Sequence, residues 1–65
     1  MMDFYNRYFL LYIDATQEKR DAALQHWIEC DARNRADNRP DLWIFSTKML
    51  TTIMMAQQVI DKLSK

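Results

Sequence analysis

Sixty-five residues make one domain at most, spanning 1–65, and a chain of that size buries only about 60% of the surface it exposes when unfolded. Nine basic residues balance nine acidic ones with His26 neutral, whereas duplex binders carry a clear basic excess because phosphate neutralisation supplies most of their affinity. Cys30 is the only cysteine and there is no glycine, which excludes a disulfide within the chain. It also argues against hairpins, phosphate-cradling loops and dinucleotide-binding turns, all of which need positive φ at defined positions.

The first predicted element is a helix from about Asp3 to Ile13, with Asp3 as its N-cap. Phe4, Tyr5, Tyr8, Phe9 and Tyr12 give it more than half of the chain's aromatic residues. Aromatic residues also favour strands, but no second convincing strand exists to pair with. At helical spacing Phe4, Tyr8, Leu11 and Tyr12 share one face, and Tyr5, Phe9 and Ile13 an adjacent one. Base stacking would need a basic surround, and Arg7 is the only cation here. Membrane docking would need a strongly cationic polar face. Packing remains, so this element reads as a lid on another helix and part of a seam between subunits.

The second helix starts after Asp14 or Thr16, either of which can cap it, and carries Glu18 near the positive end of its dipole. It reaches Arg35 or Ala36. Its apolar face is narrow: Ala23, Leu24, Trp27 and Ile28, with the aliphatic stem of Arg20 alongside. Asp31 and Arg35 are spaced i, i+4 to close a partly buried ion pair. His26 and Cys30 share that spacing, but they supply two of the four ligands of a structural zinc site. As a thiol–base pair they lack an orienting third group and a pocket. The plainer reading is a surface histidine and a half-buried thiol, and no metal or other cofactor is expected.

"DNRPD" breaks the second helix. Asn38 is the expected cap of a third helix, Pro40 suits its first turn and Asp41 complements its dipole. This helix is predicted over Pro40 to Leu63, roughly 35 Å long. Leu42, Phe45, Met49, Ile53, Ala56, Ile60 and Leu63 form one stripe, the predicted core face. Trp43, Leu50 and Met54 form a second, and Ile44, Met55 and Val59 a looser third. Only Thr47, Thr51, Gln58 and Lys62 make a polar strip. A helix apolar around most of its girth is buried from more than one side.

The resulting expectation is an all-α fold of three helices: short and aromatic, polar, then long and apolar. One short and one narrow-faced helix cannot cover the third, so a homodimer is expected to complete the core, with Trp43, Leu50, Met54, Tyr5 and Phe9 at the dimer interface. A lone thiol fits a reducing compartment. No apolar run approaches the roughly 20 residues of a spanning helix, and the acidic opening at Asp3 is unlike a signal peptide. The expected setting is the cytoplasm, without a membrane partner.

The middle of the chain, "YIDATQEKRDAALQHWIECDARNRADNRPDLWIFS", in a very short, glycine-free helical protein, resembles the small accessory proteins of lambdoid bacteriophages. Its likeness is to those encoded between the phage exonuclease and excisionase genes. It spans most of the chain and rests on overall character, so no functional residue is carried over from it. The resemblance implies a protein that influences phage development or host physiology by binding host or phage factors.

The preferred functional expectation is therefore a non-enzymatic protein acting through protein–protein contact. Its partner surface is the outside of the second helix with the arginine corner: Arg33, Arg35, Arg39, Asn34 and Glu29. The alternative is a small DNA-binding regulator using the Arg33–Arg39 corner and the start of the third helix. Arginines and amides in that density suit phosphates and base edges. Asp31, Asp37 and Asp41 interrupt the patch, and Trp43, Ile44 and Phe45 occupy the end where a recognition helix needs polar residues.

Overall fold

The computed structural model describes residues 3–64, with side chains described from 5 to 64. Three helices account for nearly all of them: α1 (Asp3–Asp14), α2 (Gln17–Ala36) and α3 (Pro40–Leu63). The fold is all-α, as the periodicity predicts, and no strand occurs among the described residues.

Local chemistry explains most of the boundaries. Thr16 is the N-cap of α2, and its hydroxyl accepts from the Lys19 amide at 3.2 Å. Such a cap contributes about 1 kcal/mol. α2 ends in a Schellman motif: the Asn38 amide donates to the Arg35 carbonyl at 3.1 Å and the Arg39 amide to the Asn34 carbonyl at 3.0 Å. That geometry needs a left-handed residue, and Asn38 takes it with φ 54°. Asparagine tolerates this region better than other residues with a Cβ. Asn38 therefore closes α2 and does not cap α3. The N-cap of α3 is Arg39, without a side-chain hydrogen bond, and Pro40 follows in the first turn. At the other end of the chain, Asp3 is already helical among the described residues and so is not the cap, and α1 runs one residue beyond Ile13.

α3 is the central element. It packs along both α1 and α2, while α1 and α2 touch each other least. Tyr5 lies against Phe45, with ring centroids 6.4 Å apart, and Phe9 shares a groove with Thr52 and Met55. α1 therefore runs parallel to α3. α2 runs the other way, with Arg20 against Gln57 and Asp31 against Ser46. The result is flat and long, with extents of 40 × 27 × 15 Å.

The core sits on one face of α3. Met49, Ile53 and Ala56 are buried there together with Ser46 and Thr52. Burying a methionine or isoleucine side chain contributes roughly 1.5–3 kcal/mol relative to leaving it in water. Two members of the predicted core stripe are outside: Leu42 is exposed and Leu63 is 80% exposed. For Leu63 the physical reason is length. α1 has 12 residues and α3 has 24, about 18 Å against 36 Å at 1.5 Å per residue. α2 begins opposite Gln57, so the last turns of α3 run past both neighbours. Leu11 and Ile28, each placed on a packing face by the sequence, are also exposed. Phe4 lies outside the described side chains.

The buried hydroxyls replace apolar residues without leaving unpaired donors. Thr52 donates to the Lys48 carbonyl at 2.8 Å. Ser46 stands 3.0 Å from the Trp43 carbonyl and 2.8 Å from Oδ1 of Asp31. No buried side-chain nitrogen or oxygen among the described residues lacks a partner.

Candidate functional site

The two sides of α3 differ in chemistry. Toward α2 the contact combines apolar packing, with the Trp27 ring edge-on to Phe45 at 5.5 Å between centroids, and two polar knots. Arg20 is only 6% exposed. Its Nε donates to Oε1 of Gln57 at 3.0 Å, Nη1 to the carbonyls of Tyr12 (3.0 Å) and Ala15, and Nη2 to Oε1 of Gln17 at 3.1 Å. One guanidinium thus ties the C-terminus of α1, the start of α2 and the C-terminal half of α3. The terminal carbonyls of a helix lack intrahelical donors, and α1 has no basic residue in its own last turn. Arg20 supplies that charge from the next helix, where it also complements the negative end of the dipole. The sequence reading places only its aliphatic stem in the interface, yet the charged head is buried as well. Gln17 and Gln57 extend the knot, joined at 2.8 Å and continuing to Asp21 and Asp61 at 2.9 Å each.

The second knot is centred on Asp31. Arg35 Nε meets Oδ2 at 2.8 Å, which is the ion pair expected from the i, i+4 spacing. Ser46 donates to Oδ1 at 2.8 Å and Thr47 at 3.2 Å. The hydrogen bond from Arg35, then that from Ser46, holds the Asp31 carboxyl below its ordinary value of 3.8, and Thr47 and the charge of Arg35 add to the effect, against a partial cost of burial. The same guanidinium lies 5.6 Å from the Trp43 ring centroid, a cation–π contact.

Toward α1 the contact is apolar. The α1/α3 groove, about 340 Å³, is lined by Tyr5, Asn6, Phe9, Thr52 and Met55. Lys48 places its ammonium 5.5 Å from the centroid of Tyr5. The α2/α3 groove, about 260 Å³, is lined instead by Gln17, Arg20, Asp21, Leu24, Ile53, Met54, Gln57 and Gln58.

These facts separate residues that the sequence groups together. Of the five expected at the dimer interface, Tyr5 and Phe9 line the first groove and Met54 the second. Trp43 is half-buried beneath Arg35, and Leu50 is half-buried on α3. Of the five expected at a partner surface, Glu29, Arg33, Arg35 and Arg39 are exposed. Arg35 is committed to Asp31, and Asn34 is half-buried with its Nδ2 3.5 Å from Ser46 Oγ. His26 and Cys30 do meet, with Nε2 and Sγ 3.5 Å apart. Among the described residues no cluster of three or more histidine, cysteine or acidic side chains gathers there or elsewhere. The fully enclosed Ser46 hydroxyl is no accessible nucleophile. The described side chains thus place hydrogen-bonded knots on one side of α3 and an open, mostly apolar groove on the other.

Sequence reasoning misses Ser46, Thr52 and the head of Arg20. A signal was available for the first two, since at 100° per residue they flank the arc spanned by Met49, Ile53 and Ala56, about 20° and 40° beyond its edges.

Comparison with known proteins gives no context for this geometry: no family model, no curated protein and no solved structure matches the chain. No helix among the described residues is long and apolar enough to cross a membrane.

Proposed function

We propose that the protein is non-enzymatic, acts through protein–protein contact, and closes its own apolar surface by forming a homodimer. The supporting observation is surface area. A compact monomer of 7.9 kDa is expected to expose about 4,400 Å² by the scaling of area with mass. This chain exposes 5128 Å². The excess, about 700 Å², goes with the flat, elongated shape, 40 × 27 × 15 Å, which leaves little of the apolar surface covered. Much of the outside is apolar, including Leu10, Leu11, Ile44, Met54 and Met55. In this reading the protein works in the cytoplasm, in keeping with its single thiol, and the phage resemblance makes a host or phage protein the partner of the assembled dimer.

Sedimentation across micromolar concentrations tests the assembly. The expected result is a species of twice the chain mass that dissociates on dilution; a folded monomer at every concentration would overturn the proposal. The DNA-binding alternative retains exposed Arg33 and Arg39 at the α2–α3 corner. Mobility shifts at two salt concentrations separate it: salt-sensitive binding lost on Arg33→Ala and Arg39→Ala would support it, and no shift at low salt would reject it.

A further inference from the structure

The grooves beside α3 and α1 differ in charge. The α2/α3 groove has Asp21 in its lining, its Arg20 is engaged in internal hydrogen bonds, and Asp61 accepts from Gln57 at its edge. A groove of about 320 Å³ at the C-terminal end of α1 is lined by Leu11, Tyr12, Asp14, Ala15 and Lys19, so both signs of charge meet there. The α1/α3 groove has no acidic side chain in its lining. One cation stands beside it: the Lys48 ammonium, 5.5 Å from the centroid of the Tyr5 ring that forms part of its wall. At 100° per residue Lys48, Thr52 and Met55 fall within about 60° of one another on α3, so the ammonium is on the groove's own side of the helix. No carboxylate among the described residues pairs with it. Asp41, on the same row of α3, is about 10 Å away along the axis, a full Debye length at about 0.1 M salt.

We infer that the α1/α3 groove is a binding site for a small aliphatic carboxylate, with the alkyl chain against Phe9 and Met55 and the carboxylate on the Lys48 ammonium. Size selects a small molecule. Five side chains line the groove, against the roughly 20–30 residues a side of a protein–protein interface. Its volume, about 340 Å³, lies at the low end of the ligand-pocket range of about 300–1,000 Å³. The lining is the mixture such pockets use: rings and a thioether for an apolar body, with few polar groups to orient it. The unbranched thioether of Met55 follows the shape of a flexible chain. The exposed carboxamide of Asn6 adds a donor. Charge then selects a carboxylate. A phosphate monoester brings roughly two charges and three acceptor oxygens, more than one ammonium can match, whereas a carboxylate brings a single charge. The inference stands apart from the homodimer reading, because every residue it uses belongs to one chain.

The test titrates the full chain with sodium octanoate and with octanol and follows amide and methyl chemical shifts. Octanoate is expected to give saturable shifts centred on Tyr5, Asn6, Phe9, Thr52 and Met55, with octanol about fivefold weaker because it lacks the ion pair. Lys48→Gln should weaken octanoate by the same factor and leave octanol unchanged. Met55→Glu should weaken octanoate about tenfold or more, by removing apolar contact and adding a like charge. Met54→Glu changes the net charge equally but lines the other groove, and it should stay within about twofold of the wild type. All three substituted side chains are exposed, so circular dichroism should remain helical in each. Octanoate shifts that do not saturate, or that centre elsewhere, would overturn the site. Equal affinity for octanoate and octanol, with Lys48→Gln silent, would overturn the carboxylate assignment. Co-sedimentation with phosphatidylglycerol vesicles reads out a lipid surface, and binding there without saturation by octanoate would also overturn the inference.

Discussion

The side of α3 that faces α2 and the side that faces α1 both pack a ring on Phe45, yet the first adds a network of hydrogen bonds and an ion pair. The α2 side is fixed by directional bonds: Arg20 to Gln57, Ser46 and Thr47 to Asp31, Arg35 to Thr47. The α1 side is held by rings and apolar contact, with Tyr5 tilted against Phe45 and an open groove beside them. Directional bonds specify register, because a shifted helix would strand buried donors, and a stranded donor costs about 1–3 kcal/mol. Apolar contact tolerates sliding and substitution. The first kind of seam makes a joint of fixed register, and the second leaves an open, mostly apolar groove beside it.

The comparison is broken most severely at the residues both sides share. Ile53→Ala removes a fully buried side chain from the common core and is expected to cost about 2–5 kcal/mol. In so small a domain that loss should leave the chain largely unfolded in urea titrations at low denaturant. Arg20→Met comes next. It keeps the aliphatic stem but removes the donors to Tyr12, Ala15, Gln17 and Gln57, with an expected loss of about 2–3 kcal/mol. Hydrogen exchange should show the last turn of α1 opening before the α2/α3 joint around Asp31.

The smallest effect isolates the polar seam alone. The Asp31 carboxyl titrates below 3.8 in the folded protein, so its contribution to stability is full above that unfolded-state value. It is lost as pH falls through the lower folded-state value. Denaturation midpoints of the wild type should therefore fall below about pH 4, and Asp31→Asn should lack this component of the slope.

Much of this architecture is legible in the sequence, and the parts that are not have common causes. The bounds of α3 follow from Pro40 and from the apolar stripe, because proline belongs in a first turn and periodicity runs to Leu63. The Asp31–Arg35 pair follows from i, i+4 spacing. Asn38 was harder to place: the absence of glycine suggests a chain without positive φ, whereas asparagine can adopt it, and here the Schellman closure of α2 demands it. Residue polarity is a poor guide where a hydroxyl can bond its own helix, as Thr52 does with Lys48. Leu63 shows the converse, a core-type residue left outside because no neighbour extends that far. The candidate surface is legible only as excess hydrophobicity. Which side of α3 is closed by polar knots depends on where α1 and α2 lie, and no local pattern encodes that.

The order of the helices along the chain has a consequence for how the protein is made. α1 and α2 touch each other little, and both pack on α3, which leaves the ribosome after them. Until α3 has emerged, neither earlier helix has a partner for its apolar face, and isolated helices of such length are marginal in water. Assembly of this region is therefore a late event in synthesis, with the aromatic residues of α1 the longest to wait for cover.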